Sequence, residues 1–195
     1  YYMQADRETL SKGILVDVII LSFIVMAGVS LFLKRNPRSS LSDNSPPVLG
    51  LLYIPCLLTF QIRLREFGPE WIILLYTMVW AADTFAYYIG TLIGKKKLYV
   101  EVSPNKTLSG AAGSLIGGVV AAILIKTAFI TALTMSSALV IGITIGIISI
   151  FGDLVESMFK RDAGVKDSGA IIPGHGGILD KIDGILFAGP TLYWM

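Results

Sequence analysis

Six apolar stretches, running approximately over residues 14–33, 48–62, 71–93, 107–125, 135–156 and 184–195, dominate the sequence. Crossing the roughly 30 Å hydrocarbon core of a bilayer takes about 20 such residues in a helix. Only 15% of the chain is charged, 54% is hydrophobic, and the mean hydropathy is +0.71. A soluble domain carries about 25% charged residues, so too little polar surface exists here for a water-facing globule. The expectation is an all-α, polytopic transmembrane helical bundle of about six spans, forming one integral-membrane domain over residues 1–195. The second stretch is short and holds Pro55, which predicts a kinked or re-entrant helix; the last ends at Met195 and holds Pro190, which predicts an incomplete span. The chain opens at Tyr1 with no visible signal peptide and reads as a processed or truncated piece. A net charge of +2 argues against nucleic acid as a partner, and the single Cys56 excludes an intramolecular disulfide framework.

The loops alternate in basic content. With all six stretches spanning, loops 34–47, 94–106 and 157–183 share one side and hold eleven of the sixteen Lys and Arg residues. The positive-inside rule makes that side cytoplasmic, as in a bacterial inner membrane or its equivalent. The fourth and fifth stretches are rich in small residues, Gly110, Gly113, Ser114, Gly117 and Gly118 in one and Gly142 and Gly146 in the other. Small residues at this spacing let helix backbones approach closely in lipid. A lipid-accommodating groove and a homodimer contact are the competing uses.

Six of the fourteen acidic residues fall between Asp153 and Asp183. Asp153, Glu156, Ser157 and Lys160 follow i, i+3, i+4, i+7 spacing and share one helical face. For Glu156 the expected role is a solvated helix end paired with Lys160; for Asp153, one turn deeper, it is functional, because ionisable groups at membrane depth are costly unless paired or metal-bound. Arg161, Lys166 and Asp167 follow, then a run from Pro173 to Asp183 containing His175, Gly176, Gly177, Asp180 and Lys181. Glycines without Cβ atoms let a ligand approach the backbone, and a helix opening near Gly177 would offer free amides to an anion. Asp180 and Asp183 would then project from one face, a spacing that suits Mg²⁺ held by a few carboxylates plus substrate phosphates. Acidic capping of the helix is the competing reading. His175 lacks companions for zinc and reads as a phosphate donor or proton carrier.

Upstream, Asp83 lies mid-helix with Tyr87 and Gly90 on its face, and must look onto a polar cavity or a partner. Lys95, Lys96 and Lys97 read as an orientation signal or an anionic-lipid contact. Ser103, Asn105 and Lys106, in a turn-and-cap sequence before the fourth stretch, add phosphate donors on the same side.

Ser157-Met-Phe-Lys160-Arg161, then Lys166-Asp167, then Pro173-Gly-His175-Gly176-Gly177-Ile-Leu-Asp180-Lys181-Ile-Asp183 resembles the signature of the phosphatidate cytidylyltransferases, or CDP-diacylglycerol synthases. Asp83-Thr-Phe-Ala-Tyr87 and Ser103-Pro-Asn-Lys106-Thr107 are similar to that family's sequence in order and spacing, so the likeness spans roughly residues 80–183. Lys181 stands where the family pattern has Arg, Leu108 and Ser109 stand where it often has Trp and Glu, and the chain is shorter than typical members.

The resemblance implies transfer of a cytidylyl group from CTP to phosphatidic acid, giving CDP-diacylglycerol and pyrophosphate, with Mg²⁺ and membrane lipid. It divides the domain into N-terminal helices over residues 14–70 and catalytic helices and loops over 71–195. On this reading Asp153, Asp180 and Asp183 hold one or two cations. Lys160, Arg161, Lys166 and Lys181 neutralise phosphates, Asp167 binds the cation or orients Lys166, and Asp83 lines the cavity wall. A CTP-dependent polyprenol- or phytol-type lipid kinase and an ion-coupled transporter are the rival functions.

Overall fold

Apolar sequence becomes helix almost wherever it is offered. In the computed structural model, which describes residues 17–34, 37–171 and 176–195, the chain divides into two compact units, one ending at Cys56 and the other Leu57–Met195.

In the first unit, helix α1 (17–29) runs into a wide turn at Ser30–Lys34. After a 3-10 turn at Pro37–Ser39 comes α2 (Ser40–Leu51). Residues 34–47, expected as a loop, are largely helical instead, because α2 carries Pro46 and Pro47 in its interior. Each proline removes a backbone donor. The turn ahead of them is held partly by side chains: Asn44 Nδ2 donates to the Ser40 carbonyl at 2.7 Å and Ser45 Oγ to that of Leu41 at 2.8 Å. Pro55 falls in a π-turn, Leu52–Cys56, which is the helix irregularity its position predicted.

The second unit contains α3 (Leu57–Glu66), α4 (Pro69–Ile93), a two-stranded hairpin of β1 (Lys97–Tyr99) and β2 (Ser103–Thr107), then α5 (Leu108–Ala128), α6 (Met135–Asp162) and α7 (Leu179–Trp194). Its core joins Leu74, Leu75, Met78 and Val79 of α4 to Ala121 and Ala122 of α5, Ala138 and Ile145 of α6, and Ile185 and Ala188 of α7. On α5 and α6 most of those side chains are small because these helices touch backbone to backbone. A Cβ on Gly146 would meet the Ser114 carbonyl at 2.9 Å, and Ser114 Oγ donates to the Gly146 carbonyl at 2.9 Å. The small residues of α5 and α6 therefore do what close helix contact in lipid requires. A second tight crossing joins α6 to α7, where a Cβ on Gly152 would lie 2.7 Å from the Asp183 carbonyl.

The outward faces are apolar: Ile116, Val120 and Leu124 on α5, and Val140, Ile143, Ile147 and Phe151 on α6, are exposed. Among the described residues four segments are long and apolar enough to cross a membrane, Ser40–Glu66, Pro69–Ile93, Leu108–Ala128 and Met135–Asp162, and Asp17–Phe32 is a shorter apolar helix. The protein is an integral-membrane helical bundle. Four such spans are counted among the described residues, where about six are expected; the described part of α1 and the 16-residue α7, with Pro190 inside, fall below that length.

The hairpin bridges α4 and α5. Lys97 pairs with Thr107 and Tyr99 with Ser103, so two steps along β1 match four along β2, and the extra residues bulge at Pro104, Asn105 and Lys106. Thr107 then caps α5, its Oγ1 accepting from the Gly110 amide at 3.1 Å.

Candidate active site

A cavity of about 610 Å³ opens at the end of the second unit where α4 and α6 finish and α5 and α7 begin. Helix α4 contributes Asp83, Tyr87, Gly90 and Thr91, α6 contributes Asp153, α7 contributes Asp180 and Asp183, and the hairpin contributes Lys97, Asn105, Lys106 and Thr107. Asp83, Tyr87 and Gly90 share this wall as their spacing predicted. Asp83 is anchored from behind by Ser149, a fully buried residue of α6 whose hydroxyl donates to Oδ1 at 3.0 Å.

Two lysine-carboxylate groupings organise the site. In the first, the β2 bulge aims Lys106 across the cavity to Asp153, with Nζ 2.5 Å from Oδ2; Ser157, one turn further along α6, donates to Oδ1 at 3.3 Å. Both members are partly open, at 24% and 34% side-chain exposure.

In the second, Lys160 bridges Glu156 at 2.5 Å and Asp180 at 2.6 Å. Asp180 Oδ2 also accepts from the Ser168 amide at 2.9 Å, the Ser168 hydroxyl at 2.7 Å and the Gly177 amide at 2.7 Å. Burial alone would raise this carboxyl, but those donors outweigh it and hold Asp180 well below the usual carboxylate range. Gly176 makes the turn possible: its φ is +83°, and a Cβ there would lie 2.6 Å from Asp180 Oδ2. The ion pair expected for Glu156 is present, but its solvated setting is not. Glu156 is 1% exposed, because α6 continues through this level packed against its neighbours, and the Lys160 ammonium is its partner among the described residues.

The remaining acid differs from both. Asp183 Oδ1 accepts from the Gly184 amide at 2.8 Å. Burial, then the negative charge of Asp153, with Glu156 and Asp83 adding to it, pushes the Asp183 carboxyl up to about 7. That is the signature of a carboxylate short of positive partners.

The loop basic residues take other places. Arg161 is exposed and donates through Nη1 to the Val165 carbonyl at 3.1 Å, closing the turn after α6. Lys166, Asp167 and Lys181 are exposed, and neither they nor Lys160 and Arg161 line the cavity; Ser103 lies at the far end of β2, also off its wall. Gly177 serves the Asp180 clamp through its amide. His175 lies outside the described residues. Lys97, read from sequence as one of three equivalent lysines, does line the cavity; the signal that singles it out is its pairing with Thr107, which no helical periodicity reveals.

The donor set fits Mg²⁺. Asp153 and Asp183 offer hard oxygens to one cavity, Asp180 joins them on its wall, and Asp183 is electrostatically unbalanced. No cluster of three or more His, Cys, Asp or Glu side chains is already drawn together to ligate an ion among the described residues. Such a closed cage is not what Mg²⁺ at a nucleotide site needs, since phosphates and water complete its shell.

The model of the cytidylyltransferase family matches residues 4–195, nearly the whole chain. The chain belongs to that family. It is 39% identical over 181 residues to a phosphatidate cytidylyltransferase of Staphylococcus aureus (strain COL), covering 90% of this chain and 66% of the relative. It is 40% identical over 192 residues to one of Staphylococcus haemolyticus, covering 97% of this chain and 72% of the relative. To one of Thermotoga maritima it is 34% identical over 181 residues, covering 89% of this chain and 67% of the relative. The chain thus spans about two thirds of the length of the curated relatives it matches.

Proposed function

We propose that this chain carries the site for cytidylyl transfer from CTP to phosphatidic acid, releasing pyrophosphate and forming CDP-diacylglycerol on the cytoplasmic face of the membrane. The observation that carries this reading is the single cavity in which Asp83, Asp153, Asp180 and Asp183 meet Lys97, Lys106 and Asn105, in a member of the cytidylyltransferase family. The names of the relatives supply the substrate pair.

The phosphate of phosphatidate has a second pKa near 6, so it is largely a dianion at neutral pH and needs no general base. One of its oxygens attacks the α-phosphorus of CTP, the bond from that phosphorus to the α,β-bridging oxygen breaks, and the electron pair leaves with pyrophosphate. What remains for the protein is to position two polyanions and offset their charge. Lys106 is built for this: its pair with Asp153 is partly open, so the ammonium can turn to a phosphate when one arrives. Asn105 donates beside it, and Gly90 and Gly110 let α4 and α5 pack closely enough to form that wall. Lys160 acts at one remove, holding Asp180, which in turn fixes Ser168 and Gly177. Asp153 and Asp183, with Oδ1 of Asp180, would hold Mg²⁺, which supplies charge neutralisation on the triphosphate when bound. The lipid tails stay in the bilayer beside the apolar outer faces of the helices.

The test is labelled CTP in proteoliposomes containing phosphatidic acid. Label at the α-phosphate should enter the lipid fraction and label at the γ-phosphate should leave as pyrophosphate. Entry of γ-label into lipid would instead identify a lipid kinase, and solute movement without nucleotide turnover would identify a transporter.

A further inference from the structure

Of the three consecutive lysines after α4, one differs from the others in place. All three are exposed, but Lys95 and Lys96 do not border the cavity, whereas Lys97 lies on its wall. The difference comes from the hairpin. Lys97 pairs with Thr107, which is 5% exposed and also borders the cavity, so this end of β1 is pinned to the α5 cap; the Lys96 carbonyl accepts from the Leu108 amide at 2.9 Å just before it.

Lys97 is also uncommitted. Lys106 is paired with Asp153, and Lys160 is shared by Glu156 and Asp180. Among the described residues Lys97 has no carboxylate within ion-pair distance, and it is the one lysine on the cavity wall of which that is true. Beside it Gly90, Gly94 and Gly110 let α4 and α5 close up behind the cavity, so close that a Cβ on Gly110 would lie 2.9 Å from the Ala86 carbonyl. An ammonium on the cavity wall that no carboxylate among the described residues holds marks where an anionic group can rest without displacing an existing ion pair.

We propose that Lys97 is a phosphate-binding residue, distinct in role from Lys95 and Lys96, and that it holds a phosphate of a substrate or the pyrophosphate product at the hairpin side of the cavity. The proposal rests on the reading of the site as a cytidylyltransferase centre. Two phosphates present this chemistry, those of the nucleotide and that of the lipid headgroup. A lysine is suited to either, as a compact point charge that needs no planar partner.

The experiment compares Lys97→Gln with Lys95→Gln, Lys96→Gln and Lys97→Arg in the full chain, reconstituted in vesicles of fixed anionic-lipid content. KM is measured separately for CTP and for phosphatidic acid, and binding of inorganic pyrophosphate is measured by calorimetry. Lys97→Gln should raise KM about tenfold for one substrate, the size of a lost charge-assisted contact, with kcat within about twofold, Lys97→Arg near wild type, and both neighbours unaffected. A rise for CTP with weakened pyrophosphate binding assigns the nucleotide phosphates; a rise for phosphatidic acid with unchanged pyrophosphate binding assigns the headgroup. Equal effects at all three lysines, or none at Lys97, overturn the proposal in favour of general attraction to the membrane surface. Absence of turnover in the wild type would sink the functional reading, whereas pyrophosphate binding that depends on Lys97 alone would still stand for the site.

Discussion

Two lysines at the same end of the bundle meet carboxylates at the same distance, and their surroundings give them opposite work. Lys106 and Asp153 form a single pair open to the cavity. Lys160 sits in a knot with Glu156, which is nearly sealed from solvent, and Asp180, which is itself gripped by three further donors. An exposed ion pair contributes about 0–1 kcal/mol because water competes for both partners. Losing one member of a buried pair costs about 3–5 kcal/mol, because a bare charge is left behind. The first lysine can therefore be lent to a substrate, and the second cannot.

Removing the knot's cation should have the largest effect. Lys160→Met leaves Glu156 and Asp180 facing each other, and should lower stability by about 3–5 kcal/mol, read as a fall in the unfolding midpoint in detergent; adding Glu156→Gln should recover part of it. If Lys160→Met and Lys106→Met lower that midpoint equally, the contrast between the two groupings is wrong. Next in size, Asp180→Asn should cut CTP-dependent, Mg²⁺-dependent lipid labelling by a hundredfold or more while circular dichroism shows helix content retained. Near-normal labelling would remove Asp180 from the cation site and leave it only a clamp. Lys106→Met comes third, with roughly tenfold lower kcat/KM and a stability change within about 1 kcal/mol. Smallest, Ser168→Ala removes the hydroxyl contact to Asp180 Oδ2 while keeping the amide one, and should cost about 0.5–1.5 kcal/mol, with activity within threefold of wild type; a larger loss would mean that the loop after α6 takes part in chemistry.

The parts legible in the sequence were those governed by one helix at a time. Asp83, Tyr87 and Gly90 were assigned to one face, and Asp153, Ser157 and Lys160 to another, because 3.6-residue periodicity acts within a segment. What escaped depended on contacts between segments. The burial of Glu156 comes from packing that no count along α6 contains. The selection of Lys97 over its two neighbours comes from strand register, and the bulge that turns Lys106 toward Asp153 adds residues to β2 without any marker in composition. Helix α2 escapes for the opposite reason, since Pro46 and Pro47 are strong local signals for a loop, yet the helix runs through both of them. The loop cations Arg161 and Lys166 were assigned to phosphates by likeness of motif, and the structure finds them outside the cavity wall.

Gly152 stands one residue before Asp153, and the backbone it touches is that of Asp183 and Gly184. The gap between the two acids is thus gauged by the thickness of a hydrogen atom, and a single methyl there would act as a shim. Alanine at this position offers a way to tune how far apart the two jaws stand without altering either of them.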